Sequence, residues 1–312
     1  MDKITIVGAG NVGAHAAVSA ATLELGHIIL LDKDADLAKG KALDITQSMA
    51  VSHSDIMVSG TGSYEDTAGS DVVVITAGVP RKPGMSRDDL LDINADILES
   101  IVTQVAKYSP ECILIVVTNP ITTMVQLAYK VSGFSKERVI GMAGILDGAR
   151  FKHFIAQELN VGASEVMTMV IGDHGALMVP LKDHCQVNGQ PIAELLSHQQ
   201  IENIVSRVQH GGSEIVNLLK TGSAYFAPGL AVIKMVKSIL RNEKKTLPCA
   251  VYLEGEYSTN GLFVGVPVVL GRQGVEKIVD IHLSEKEAIS FRSSVEHIRE
   301  RTEGLLEKRA LN

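Results

Sequence analysis

Residues 4 to 32 restrict the fold more than any other stretch of this chain. An apolar run at 4–7 leads directly into Gly8-Ala9-Gly10-Asn11-Val12-Gly13, which opens a segment with helical spacing. A second apolar run at 28–31 then ends on Asp32. Strand, glycine turn, helix and strand in this order make a unit whose two strands run parallel. The first glycine permits a tight turn, the second lets backbone approach a pyrophosphate, and the third lets helix and strand pack closely. The start of the helix then offers free N–H groups and a positive dipole end to phosphate. Gly8, Gly10, Asn11, Val12 and Gly13 are therefore expected cofactor contacts. The Asp32 carboxylate can accept hydrogen bonds from an adenosine ribose and would repel a 2′-phosphate, so the expected cofactor is NAD rather than NADP. A glycine turn followed by an incidental aspartate is the plainer alternative.

The alternation continues. Further strands are expected at 56–59, 72–76, 113–117 and 139–140, and helices at 12–25, 37–49, 88–107 and 122–131. Strands that are apolar throughout, separated by helices, imply a doubly wound parallel sheet covered on both faces. The pattern changes near residue 145. Helices at 146–159, 199–220 and 230–241 are interleaved with strands at 166–171, 178–180, 250–253 and 263–270, and a helix of about 25 residues starts near 284. This predicts an α/β dinucleotide-binding domain over 1–144 and an α+β substrate domain over 145–312, packed around a shared cleft.

Four places carry chemistry-bearing residues. The segment Val79-Pro80-Arg81-Lys82-Pro83-Gly84-Met85-Ser86-Arg87 holds two guanidinium groups in a Pro/Gly-punctuated loop after the 72–76 strand. Guanidiniums suit carboxylates because they donate two parallel hydrogen bonds, although a solvated basic turn has the same composition. His174 lies in Gly172-Asp173-His174-Gly175, just after an apolar run, where it could exchange a proton with a ligand hydroxyl. In Leu146-Asp147-Gly148-Ala149-Arg150 the acid and the arginine are three apart and share a helix face. They read either as a surface ion pair worth at most about 1 kcal/mol, or as an acid that orients His174 and an arginine that clamps a carboxylate. Asn119, in Thr118-Asn119-Pro120 at a strand end, could contact substrate or nicotinamide, or serve as a turn or cap residue.

Taken together and in this order, the glycine turn, Asp32, Thr118-Asn119-Pro120, Leu146-Asp147-x-x-Arg150, Gly172-x-His174-Gly175 and the two-arginine loop resemble the lactate/malate dehydrogenase family. The resemblance runs from residue 3 to the C-terminal helix and is nearest to the lactate-dehydrogenase-like malate dehydrogenases. It implies His174 as proton acceptor and donor, Asp147 as its orienting carboxylate, and Arg150 as the binder of the C1 carboxylate. It implies Arg87 as the arginine that polarises the reacting carbonyl, and Arg81 as the specificity residue facing a second carboxylate. Asn119 would lie near substrate and nicotinamide, and Asn94 and Val117 join the cofactor contacts. The expected activity is reversible, NAD-linked oxidation of malate to oxaloacetate by a homodimer or homotetramer. A lactate or other 2-hydroxy-acid dehydrogenase on the same scaffold is the nearer alternative, and a non-catalytic NAD-binding protein the further one. Gly148, Asp173 and Ala176 depart from the family pattern. Asp173 is expected to point to solvent.

Composition narrows the setting. A net charge of -7 argues against general binding to nucleic acid or anionic membrane, and no apolar run reaches the about 18 residues a span needs. Cys112, Cys185 and Cys249 are scattered and lack zinc-site spacing, which fits buried thiols in a reducing compartment and a cytoplasmic address. No Tyr-x-x-x-Lys pair occurs, which disfavours a short-chain dehydrogenase.

Overall fold

The computed structural model describes residues 1–79 and 87–310. Arg81 lies outside the described residues, as does the side chain of Arg87. The first half runs β1 (Lys3–Val7), α1 (Asn11–Thr22), β2 (His27–Leu31), α2 (Ala35–Val51), β3 (Val58–Thr61), β4 (Val72–Ile75), α3 (Arg87–Tyr108), β5 (Ile113–Val116), α4 (Ile121–Ser132) and β6 (Val139–Gly141). These six strands are parallel in the order β3-β2-β1-β4-β5-β6. The direction of winding reverses at β1, between β2 and β4. That crevice at the C-terminal strand ends is where such sheets bind ligands.

Alternate residues of each strand feed opposite faces. Ile4, Ile6, Val72, Val74 and Ile115 pack against alanines of α1. Val7, Val73, Ile75, Leu114 and Val116 pack against α3 and α4 on the other side. With both faces covered, every residue of β4 and β5 is buried, so these strands read as unbroken apolar runs.

The second half contributes α5 (Gly144–Leu159), β7 (Val166–Met167), β8 (Val170–Gly172), β9 (Met178–Pro180), β10 (Gln186–Val187), β11 (Gln190–Pro191), α6 (Ile192–Leu195), α7 (His198–Leu219), α8 (Phe226–Leu240), β12 (Lys245–Glu254), β13 (Asn260–Gly271), β14 (Gly274–Ile278) and α9 (Glu285–Ala310). The parallel sheet does not stop at the junction. Gly141 of β6 pairs with Ala250 of β12, and the sheet continues antiparallel through β13, β8 and β9, with β14 on β13. Strands β11, β10 and β7 form a separate small sheet. The apolar run at 166–171, expected as one strand, is thus two strands belonging to two sheets. The strand expected at 56–59 sits two residues later, where Val58 pairs with Ile28. Helix α8 lies over α1 with Val232, Val236 and Ile239 in the same core, which ties the second half to the glycine turn. The three cysteines are buried, and burial pushes the Cys112 and Cys185 thiols up to about 12. No helix among the described residues is long and apolar enough to cross a membrane.

Candidate active site

The glycine turn joins β1 to α1 with Gly10 at the helix N-cap. A side chain on Gly13 would put its Cβ 1.9 Å from the Gly8 carbonyl oxygen, so helix and turn can meet this closely only without one. Gly10 differs: a Cβ there would meet nothing within 4 Å, and the residue is exposed. The turn therefore presents an open backbone face at the N-terminus of α1, which suits a pyrophosphate. Asp32 lies beside it. Its Oδ2 accepts from the Ala9 N–H at 2.7 Å and its Oδ1 from the Asp34 N–H at 3.0 Å. Each carboxylate oxygen keeps lone-pair capacity for ribose hydroxyls. Lys41, which the sequence reading did not single out, donates to the Ala9 carbonyl at 2.7 Å and holds the turn from the other side.

The ends of β4 and β5 are pinned together above this turn. Thr118 Oγ1 donates to the Ala77 carbonyl at 2.6 Å. Asn94, almost fully buried on α3, accepts from the Val79 N–H at 2.8 Å and donates to the Asn119 carbonyl at 2.9 Å. Its amide is thus engaged within the protein, bracing both strand ends. Val117 is buried two residues before the exposed Asn119.

The acid–base group comes from two elements of the second half. A Cβ on Gly144 would lie 2.2 Å from the Val170 carbonyl oxygen, so α5 starts in direct backbone contact with β8. One turn further along α5, Asp147 is fully buried, and His174 follows β8 by two residues. They meet with His174 Nδ1 2.7 Å from Asp147 Oδ2. A carboxylate accepts, so Nδ1 carries the proton and Nε2 offers its lone pair when the ring is neutral. Burial alone would lower the pKa of His174. The charge and hydrogen bond of Asp147 reverse that and raise it above the ordinary value, with Arg150 opposing and Asp173 adding slightly. Arg150 Nη1 donates to the other Asp147 oxygen at 3.2 Å, while its Nε is buried with no partner among the described residues. That orphan donor suits an anionic ligand. The sequence reading also missed Gly211, on α7. A Cβ there would lie 3.1 Å from Arg150 Cδ, so the gap in the helix side makes room for the arginine.

Asp173 corrects an expectation. Rather than pointing to solvent, it is only 6% exposed, and its Oδ1 accepts from Thr122 Oγ1 at 2.7 Å and from Arg301 Nη2 at 3.0 Å. Thr122 follows Asn119 by three residues, so this carboxylate links the β5 end to the histidine turn. Its arginine partner lies 128 residues away on α9, where local spacing gives no signal. A cavity of about 460 Å³ opens beside Asn119, between Leu90 and Leu91 on one side and His297, Glu300 and Arg301 on the other.

Two family models match the chain. One, described as lactate/malate dehydrogenase, NAD binding domain, matches residues 2–141, and the other, lactate/malate dehydrogenase, alpha/beta C-terminal domain, matches 145–308. The malate dehydrogenase of Desulforudis audaxviator is 48% identical over 303 residues, spanning 97% of this chain and 98% of the relative. The solved apo structure of malate dehydrogenase from Picrophilus torridus superposes with a TM-score of 0.96 at 45% identity, covering 100% of this chain and 99% of that one. The lactate dehydrogenase of Cryptosporidium parvum, solved with lactic acid and β-nicotinamide adenine dinucleotide, gives a TM-score of 0.94 at 39% identity, covering 97% and 98%.

Proposed function

The chain belongs to the lactate/malate dehydrogenase family, and on that premise we propose that it catalyses the reversible, NAD-dependent oxidation of (S)-malate to oxaloacetate. The observation that carries the reading is the buried Asp147 carboxylate, which holds His174 and Arg150 by one oxygen each. His174 Nε2 takes the proton of the substrate hydroxyl in oxidation and returns it in reduction. Asp147 keeps the ring in the tautomer that can do so and stabilises the imidazolium that results. Arg150 binds the C1 carboxylate, Arg87 polarises the C2 oxygen, and Asn119 orients the substrate. Arg81 faces the second carboxylate. NAD, when bound, supplies the acceptor for the hydride from C2. Gly8, Gly10, Asn11, Val12 and Gly13 would hold its pyrophosphate, Asp32 its adenosine ribose, and Val117 and Asn119 its nicotinamide end, with Asn94 bracing the two strand ends.

The assignment to a dicarboxylate rests on Arg81. With pyruvate in the closed site this arginine would be left buried and unpaired, at a cost of about 2–5 kcal/mol, or roughly 30-fold to several thousand-fold in rate. NADH oxidation with oxaloacetate should therefore far exceed that with pyruvate, and Arg81→Gln should narrow or reverse the ratio. Parallel assays with NADPH test Asp32. Equal turnover of both acids by the unmodified protein sinks the reading. The lactate alternative, kept in view by the Cryptosporidium parvum structure, predicts the opposite preference in the same assay. The boundary between the two domains is placed after residue 144. A homodimer or homotetramer is favoured by the exposed apolar side chains Leu43, Phe226 and Leu230 on α2 and α8. A cytoplasmic address suits the three unpaired, buried thiols.

A further inference from the structure

We propose that Arg301 is a positioning residue for proton transfer, acting through Asp173 to fix the turn that carries His174 and to balance the negative charge beside it. The inference rests on His174 being the proton acceptor. Asp173 is the immediate chain neighbour of His174 and is buried. Its carboxylate receives Arg301 Nη2 at 3.0 Å and the Thr122 hydroxyl at 2.7 Å. Arg301 is itself held, with Nε donating to Thr123 Oγ1 at 2.8 Å and Nη2 to Thr122 Oγ1 at 2.7 Å. The backbone of the same turn is fixed separately, by the Asp173 N–H donating to Ser294 Oγ at 2.8 Å. Ser294 and Arg301 are seven residues apart and share one face of α9. One helix thus grips both the backbone and the side chain of the residue preceding His174.

A purely structural ion pair would explain the contacts but not their position. A buried carboxylate this near a titrating imidazole acts on its charge in a low-dielectric setting. Four charged groups bear on His174: Asp147 and Arg150 from α5, Asp173 from its own turn, and Arg301 from α9 by way of Asp173. His297 and Glu300 share the adjoining cavity with Arg301. Asp147 and Asp173 favour the imidazolium and Arg150 disfavours it. Arg301, paired with Asp173 at 3.0 Å, offsets part of that carboxylate's pull on the ring.

The test is the pH dependence of kcat/KM for malate at saturating NAD, in the full-length enzyme. Oxidation requires neutral His174, so activity rises with pH through its pKa. Arg301→Leu should move that acid limb to higher pH by about half a unit or more, and Asp173→Asn should move it to lower pH. The double variant should return close to the unmodified profile, and Arg301→Lys, which keeps the charge, should stay there. Thermal melts establish that each variant is folded. If Arg301→Leu fails to fold, Arg301→Gln, which removes the charge but keeps a donor for Thr122 and Asp173, takes its place beside Asp173→Asn, with the same expected shift to higher pH. Unmoved limbs, or single-variant shifts of the same sign, overturn the proposal. Its failure is distinct from failure of the underlying reading, which would show instead as a His174→Ala variant that keeps its turnover.

Discussion

Asp147 has no contact with solvent, and its two oxygens are divided between an imidazole and a guanidinium. Asp147→Asn should therefore damage catalysis in two ways. The amide can present a donor to Nδ1 and select the wrong tautomer, which lowers kcat on the order of 10³-fold or more. It also loosens Arg150, which raises KM for malate. The carboxylate is what raises the pKa of His174, so in the variant the acid limb of malate oxidation moves to lower pH. Oxaloacetate reduction, which needs the imidazolium, should correspondingly fall away at lower pH than in the unmodified enzyme. Profiles measured in both directions check the sign. A second residue-scale pair separates folding from binding. Gly10→Ala meets open space and should cost no more than the about 1 kcal/mol of a weaker N-cap, yet raise KM for NAD several-fold. Gly13→Ala collides with the Gly8 carbonyl and should lower both the melting temperature and the affinity for NAD. These glycines, Asp147 and Arg150 were legible in the sequence because each sits at a short, fixed offset from its neighbours. Asp173 was misread as solvent-facing because its burial depends on Arg301, whose proximity is purely tertiary.

Helix α7 shows how an element serves the site without supplying a reacting group. Glycine inside a helix costs roughly 1 kcal/mol relative to alanine, so Gly211→Ala should raise or preserve stability on propensity alone. The new methyl group would press on Arg150 Cδ and displace the guanidinium. The expected outcome is a higher KM for malate, a smaller change in kcat, and a melting temperature that does not fall. The N-terminus of the same helix carries a capping box. Ser197 Oγ accepts from the Gln200 N–H while Gln200 Oε1 accepts from the Ser197 N–H. Ser197→Ala should cost about 1 kcal/mol, read from chemical denaturation, with no change in KM. Elements of this length were readable from period alone, and the fully buried strands β4 and β5 from their unbroken apolar runs. Short ones were not. The apolar run at 166–171 gave no sign that β7 and β8 pair with different partners. The β10–β11 hairpin passed unnoticed despite Asn188-Gly189, both in the left-handed region that a two-residue turn of this kind demands.

At the scale of the molecule, the decisive feature is a sheet that runs unbroken from β3 to β9 across the boundary between the cofactor and substrate halves. The apolar core on one face of the parallel strands also extends into α8, β12 and β13. The two halves should therefore unfold together. A single calorimetric transition, with van't Hoff and calorimetric enthalpies in agreement, is the expected result, measured on a dilute sample so that assembly does not intervene. Leu114→Ala, at the fully buried centre of β5, should lower stability by about 2–5 kcal/mol and shift that one transition rather than split it. The order in which a ribosome delivers the parts adds a further consequence. The Asp173 N–H and the Ser294 hydroxyl that receives it are 121 residues apart in the chain. A nascent chain long enough to contain the glycine turn has not yet made the helix that clamps the histidine turn. Because the two halves share one sheet and one core, the chain should gain neither a stable cofactor site nor a clamped histidine turn until α9 has emerged and docked.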